Sequence, residues 1–311
     1  MDVEDWLLDA DPAIRWQVLR DVVGADAEVV AAERARVADE GWGARLLALA
    51  DDDGLWQGGA LFPRRMVTGE EPFPEVGQPW NTTSWALSEL RDFGVDPADE
   101  RVRRAVDLVR ENARWEHDNQ PFFDGEVEAC INGRTVANGA YFGQDVSGIV
   151  ERLLGEQMAD GGWNCELENG SVRGSFHSTI EVLEGLLAYE RATGPSDRVT
   201  TARLRAHEYL LERGLLRRVS DGAVIDDAFT QLSYPPRWHY DVLRGLHYLV
   251  DAGVAPDARW DEALGIVRSK QQPDGRWLLE NTHPGPVSFA LEDGDGRPSR
   301  WVTLRALRVL G

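Results

Sequence analysis

Glu156–Trp163 reads "EQMADGGW" and Lys270–Trp277 reads "KQQPDGRW". Both hold a glutamine, an Asp-Gly turn and a tryptophan at the same spacing. Asp-Gly turns followed by an apolar or aromatic residue recur at Asp52–Trp56 ("DDGLW"), Asp124–Val127 ("DGEV") and Asp221–Val224 ("DGAV"). After each turn and an irregular stretch comes a segment with apolar residues at helical spacing, such as "TTSWALSELRDFG", "GAYFGQDVSGIVERLL", "HSTIEVLEGLLAYE", "WHYDVLRGLHYLVDAG" and "WVTLRALRVLG". Several lead into a second helix, as in "DERVRRAVDLVREN" and "TARLRAHEYLLERG". The unit is turn, helix, loop, helix, and a unit repeated at irregular intervals predicts helical hairpins with unequal loops. Period-two alternation is nearly absent, so the expected fold is all-α. Residues 1–50 read as a helical N-terminal extension, with Asp11 as N-cap and Pro12 at the first helical position, and residues 51–311 as the main domain.

The chain has 311 residues and a net charge of −21. That charge opposes a nucleic-acid or anionic-membrane surface. No window approaches the roughly 18–20 apolar residues of a membrane span, and the acidic N-terminus is unlike a signal peptide, so a cytoplasmic protein without stable membrane insertion is expected. No obligate partner is evident. Lysine occurs once, at Lys270, outside any glycine-rich cradle, which leaves little room for Schiff-base or P-loop chemistry. Two cysteines are too few for a disulfide framework, so metal binding or burial must account for them.

The two Gln-x-x-x-Gly-x-Trp stretches resemble the repeats of the squalene cyclase and protein prenyltransferase superfamily. The resemblance covers most of the chain from about Asp52 and implies an α/α toroid, a barrel of helical hairpins whose inner helices line a central cavity. "SFHSTIEVLEGL" (Ser175–Leu186) resembles the stretch of prenyltransferase β subunits in which an aromatic-His-Thr sequence opens an inner helix. That likeness implies His177 as a zinc ligand. One inner helix earlier the family supplies an Asp and a Cys; "EACING" offers Cys130, with Glu128 in the place of the Asp. Cys165, in "DGGWNCE", has no counterpart there, although lanthipeptide cyclases, another toroid family, are similar in holding zinc with two cysteines and a histidine.

Thiolate and imidazole suit tetrahedral zinc, and three protein ligands with one open position is the usual catalytic arrangement. The expected metal set is therefore Cys130, Cys165 and His177, with His239 either a fourth ligand or a general acid/base paired with Tyr240 or Asp241. The plain alternative is that the cysteines are small buried residues and the histidines satisfy backbone. His117, His207, His247 and His283 read as surface or core residues. Trp80, Trp85, Phe176, Trp238 and Trp301 fall near inner-helix starts, where aromatic rings would line a cavity. Arg237 and Arg300 precede two of these aromatics and could grip an anionic group of a substrate or pair with nearby acids. Asp226 and Asp227 make an incomplete version of the acid motif with which squalene-type cyclases protonate an alkene. The expected function is a zinc-dependent enzyme acting on an apolar small molecule inside the toroid. The alternatives are a metal-free terpene cyclase-like enzyme and a non-catalytic binding toroid with structural zinc.

Overall fold

The computed structural model describes residues 2–311. Among them lie fourteen α-helices: α1 (Val3–Leu8), α2 (Pro12–Val18), α3 (Ala27–Ala35), α4 (Gly41–Leu47), α5 (Arg64–Val67), α6 (Thr83–Phe93), α7 (Glu100–Asn112), α8 (Ala129–Tyr141), α9 (Ser147–Glu156), α10 (Phe176–Thr193), α11 (Asp197–Leu211), α12 (Val242–Asp251), α13 (Asp261–Ser269) and α14 (Arg300–Leu310). Strands are absent among the described residues; extended pairing is confined to isolated bridges such as Trp163 with Ser175. The all-α expectation holds.

The helices form two concentric layers, an α/α toroid. The inner ring runs α2, α6, α8, α10, α12, α14, and α14 packs back on α2 to close it. Helices α3, α9, α11 and α13 pack against α2, α8, α10 and α12 respectively, while α4 packs against α6 and α7. Because an outer helix returns the chain each time, the inner helices run parallel, with their first turns at one end of the ring and their last turns at the other.

The Asp-Gly-x-Trp turns build this geometry. Gly161 and Gly275 have φ of 91° and 84°, a left-handed conformation that side chains resist, which is why glycine follows the aspartate. The tryptophan two residues on is buried, and its indole N–H donates to a carbonyl ten residues earlier: Trp56 to Leu46, Trp163 to Leu153, Trp277 to Val267. The same tryptophan's backbone N–H donates to a threonine in the first turn of the next inner helix, namely Thr83, Thr179 or Thr303. One residue thus ties the preceding outer helix to the following inner one. Gln157 adds a clamp, its Nε2 donating to Gly161 O and Ala202 O at 2.8 Å each.

Two expectations need correction. "GAYFGQDVSGIVERLL" is not one helix: α8 ends at Tyr141, Gly143 takes φ 69°, and α9 begins at Ser147. The inner helix here is "ACINGRTVANGAY", whose small residues weaken its apolar period while letting its backbone approach that of α10. Nor are residues 1–50 an appendage. Asp11 and Pro12 do start α2 as expected, its carboxylate accepting from Ala13 N–H. Yet α2 stands in the ring itself: Trp16 Nε1 donates to Phe93 O, Gln17 Nε2 to Asp92 O, and Arg308 to Gln17 Oε1. One hydrophobic core runs from Trp6 to Ala306, since a ring one helix short would leave α6 and α14 each with an uncovered apolar flank.

Candidate functional site

Two chambers divide the interior of the ring. The upper one, about 730 Å³, lies at the first turns of the inner helices and is lined by Leu61, Phe62, Trp115, Ile131 and Trp238 among apolar residues, with Cys130, Cys165 and His177 on its wall. The lower one comprises two adjoining spaces of about 500 and 690 Å³ near the last turns. Trp85 and Arg134 line both chambers and form the partition between them.

Cys130 is the second residue of α8, and Cys165 lies in the loop leading to α10. Ligand atoms of Cys130, Cys165 and Glu128 all fall within 4.8 Å of one another. Cys165 Sγ accepts from Cys130 N–H and from Ser178 Oγ–H, each at 3.2 Å, and Cys130 Sγ sits 3.5 Å from Glu128 Oε2. The hydrogen bond to Cys165 pushes the Cys130 thiol well up, and burial adds to this: two sulfurs and a carboxylate side by side resist becoming three anions.

His177 lines the same chamber but is not one of this group. Its Nδ1 accepts from Tyr240 N–H at 2.9 Å, and burial pushes it down to about 4, so the ring is neutral. A neutral imidazole whose Nδ1 accepts carries its proton on Nε2. His177 therefore offers a donor to the chamber rather than a lone pair to a metal, which corrects the ligand set drawn from the sequence.

The expected acid/base group is also dispersed. His239 lies between Trp238 and His283, with ring centroids 3.6 and 3.7 Å away, and burial pushes it down to about 3. Tyr240 is buried and its hydroxyl donates to Leu215 O. Asp241 caps α12, accepting from Arg244 N–H and from Ser233 N–H and Oγ–H. None of the three lines either chamber; Asp241 in particular folds back onto the backbone of the helix it caps.

The aromatic residues divide similarly. Trp85 and Trp238 line the upper chamber, whereas Trp80 is held by Pro284 O and Phe176 packs among Tyr209, Phe229 and Tyr240. Trp301 reaches the lower chamber, stacked on Tyr234. Arg237 pairs with Glu89 at 2.7 Å in the lower chamber, and Arg300 lies over Trp6 away from both. Asp226 and Asp227 are exposed, and Asp226 accepts from Ala228 N–H.

Sequence reasoning passed over Arg134, which a single arginine within "INGRTV" does not advertise. It also passed over the charge of the lower chamber, where Arg244 bridges Glu181 and Glu184 at 3.0 and 2.6 Å. An apolar cavity was expected throughout the ring; the lower half is instead walled by ion pairs. His117 and His283, set aside in the sequence, lie at the upper chamber's wall and against His239 respectively.

Fold and site together define an α/α toroid with a dithiol and carboxylate cluster on the wall of an internal chamber. No protein-family model matches the sequence, and no curated protein sequence matches it either. Among solved structures, the chain is similar to an apo point variant of the type II terpene cyclase MstE from Scytonema, at 15% identity over 90% of this chain and 95% of that one, with a TM-score of 0.39.

Proposed function

We propose that the protein is a zinc-dependent enzyme that takes a small, largely apolar molecule into the upper chamber, with Cys130, Cys165 and Glu128 as the metal's protein ligands. The observation that carries this reading is the convergence of two thiols and a carboxylate on a cavity wall. Their chemistry fits zinc, which accepts thiolate sulfur and carboxylate oxygen together, and three protein ligands leave a position open toward the chamber. Bound there, the ion would supply Lewis acidity or activate a thiol. The chain's own residues provide the rest. Trp85, Trp115 and Trp238 present apolar faces that exclude water, and Ser178 Oγ–H orients the Cys165 sulfur. Acid-initiated cyclisation draws no support from Asp226 and Asp227, which face solvent.

The test is elemental analysis of the full chain purified under reducing conditions without chelator. About one zinc per chain is expected in the parent and in His177→Ala, and little in Cys130→Ala or Cys165→Ala. Absence of stoichiometric metal in the parent would remove the zinc reading; retention of metal by both cysteine variants, or its loss in His177→Ala, would overturn the ligand set.

A further inference from the structure

Cys130 and Cys165 are the only two cysteines of the chain, and both are free and half-buried. Their sulfurs lie within 4.8 Å of one another, and both residues line the upper chamber, so a small molecule in that chamber can reach them. The pair is close enough to join. A change of side-chain rotamer moves a cysteine sulfur by about 3 Å, which spans the gap between that separation and the roughly 2 Å of a disulfide. Cys130 stands in the first turn of α8 and Cys165 in the loop before α10, so the adjustment falls on a loop and a helix start rather than on the middle of the inner ring. Two contacts already orient the sulfurs: Cys165 Sγ accepts from Cys130 N–H and from Ser178 Oγ–H, each at 3.2 Å. Glu128 Oε2, 3.5 Å from Cys130 Sγ, is a base within reach of that thiol's proton.

We propose that Cys130 and Cys165 are a reversible oxidation site, joined to a disulfide by a hydroperoxide that enters the upper chamber and parted again by a thiol reductant. One thiol attacks the O–O bond of the peroxide, forming a sulfenic acid and releasing the other oxygen as an alcohol or water, which takes up the thiol's proton. The second thiol then attacks the sulfenic sulfur; the S–S bond forms, and the hydroxyl leaves with the second proton as water. The two thiols are oxidised and the peroxide is reduced. Thiol exchange returns both cysteines and oxidises two reductant thiols to their disulfide. The same two sulfurs are ligands in the zinc reading, and once joined they leave Glu128 alone, so oxidation would also release a bound ion. The disulfide itself rests on the thiol geometry and stands with or without metal.

Treatment of the reduced full chain with hydrogen peroxide tests it, with the thiols counted after unfolding, the intact mass measured and released zinc followed by a chromogenic chelator. The parent should lose both of its thiols together, with a mass lower by a pair of hydrogens and no added oxygen, and dithiothreitol should restore both. In Cys130→Ser and Cys165→Ser the remaining cysteine has no partner and should gain oxygen instead. Circular dichroism establishes that each variant is folded; should one not fold, the parent's own thiol count and mass carry the result. Thiols that stay free under peroxide, sulfurs of the parent that gain oxygen without joining, or disulfides between chains on a non-reducing gel would each overturn the proposal. If the parent holds no zinc but the disulfide forms, the metal reading fails and this one stands. If zinc is present and stays bound after the disulfide has formed, the ligand set fails and the oxidation site again stands.

Discussion

Gly185→Ala is expected to destabilise the protein although alanine is the better helix former. Gly133 in α8 and Gly185 in α10 lie where the two inner helices touch backbone to backbone. A Cβ on Gly185 would stand 2.3 Å from Gly133 O and 3.0 Å from its carbonyl carbon. That is about 1 Å short of ordinary contact, and the obstacle is main chain within a helix, which cannot swing aside as a side chain can. Moving one helix away from the other by that amount costs about 3 kcal/mol or more, the upper part of the range for overpacked cores. Against this stands the gain from replacing glycine inside a helix, about 1 kcal/mol. The net loss is about 2 kcal/mol or more. Gly265 in α13 is the control: a Cβ there meets nothing within 4 Å, so Gly265→Ala should stabilise by about 0.5–1 kcal/mol. Urea denaturation followed by tryptophan fluorescence and far-UV circular dichroism, with coincident transitions, would place the two midpoints on opposite sides of the parent's. A Gly185→Ala variant as stable as Gly265→Ala would refute the backbone contact between α8 and α10.

Trp163→Phe removes the buried bond to Leu153 O and leaves that carbonyl without its donor, so a loss of about 1–3 kcal/mol is expected by the same denaturation assay. Burial pushes Glu292 up from 4.5 to about 7. Its charged form is disfavoured in the fold, so its contribution is fully present below pH 4.5 and is lost as pH rises through 7. Glu292→Gln, which keeps an acceptor for Ser299 and Trp301, should raise the melting temperature at pH 8 but not at pH 4.5, by the equivalent of about 1–3 kcal/mol after allowance for partial exposure. His239 and His283 are pushed the other way, to about 3 and about 4, by burial first. Their contribution is present above pH 6.5 and declines as pH falls toward those values, and His239→Phe, which preserves the ring stack, should flatten the acid limb of a stability–pH curve.

The repeating turns were legible in the sequence because each needs particular residues: glycine for a left-handed φ and tryptophan to span from one helix to the next. The threonines that receive the tryptophan N–H were visible as well, in "TTSW", "HSTI" and "WVTL", although no period marks them and their role shows only once the turn and helix are placed together. Cys130, in the first turn of α8, and Cys165, in the loop before α10, lie side by side, with Cys130 N–H donating to Cys165 Sγ. The histidines misled because position on a helix says nothing of which ring nitrogen is free, and the backbone of Tyr240 had already claimed Nδ1 of His177. Membership of α2 in the ring was hidden by its seven-residue length; the π turn at Leu19–Val23 carries it on across the ring wall.

The parallel inner helices also explain why the two chambers differ in charge. A helix carries about half a positive charge at its first turn and half a negative charge at its last. All six last turns or their extensions reach the lower chamber, a field of roughly −3 charges. The larger lower space is lined by Arg20, Arg34, Arg91, Arg191, Arg305 and Arg308 against Asp21, Asp92 and Asp251, an excess of three cations. At the upper chamber the first turns of α6, α8 and α10 contribute the opposite sign, and Glu116, Glu126, Glu128 and Glu166 stand against Arg134 alone. The side chains there sum to −3 against about +1.5 from three helix starts, so they outweigh the helix ends rather than match them. Glu116 is committed to accepting from Leu61 and Phe62 N–H, and Glu128 lies with the thiols. The upper wall is left acidic beside Cys130, Cys165 and Glu128, an excess that a bound cation would offset, whereas the lower space is closely matched.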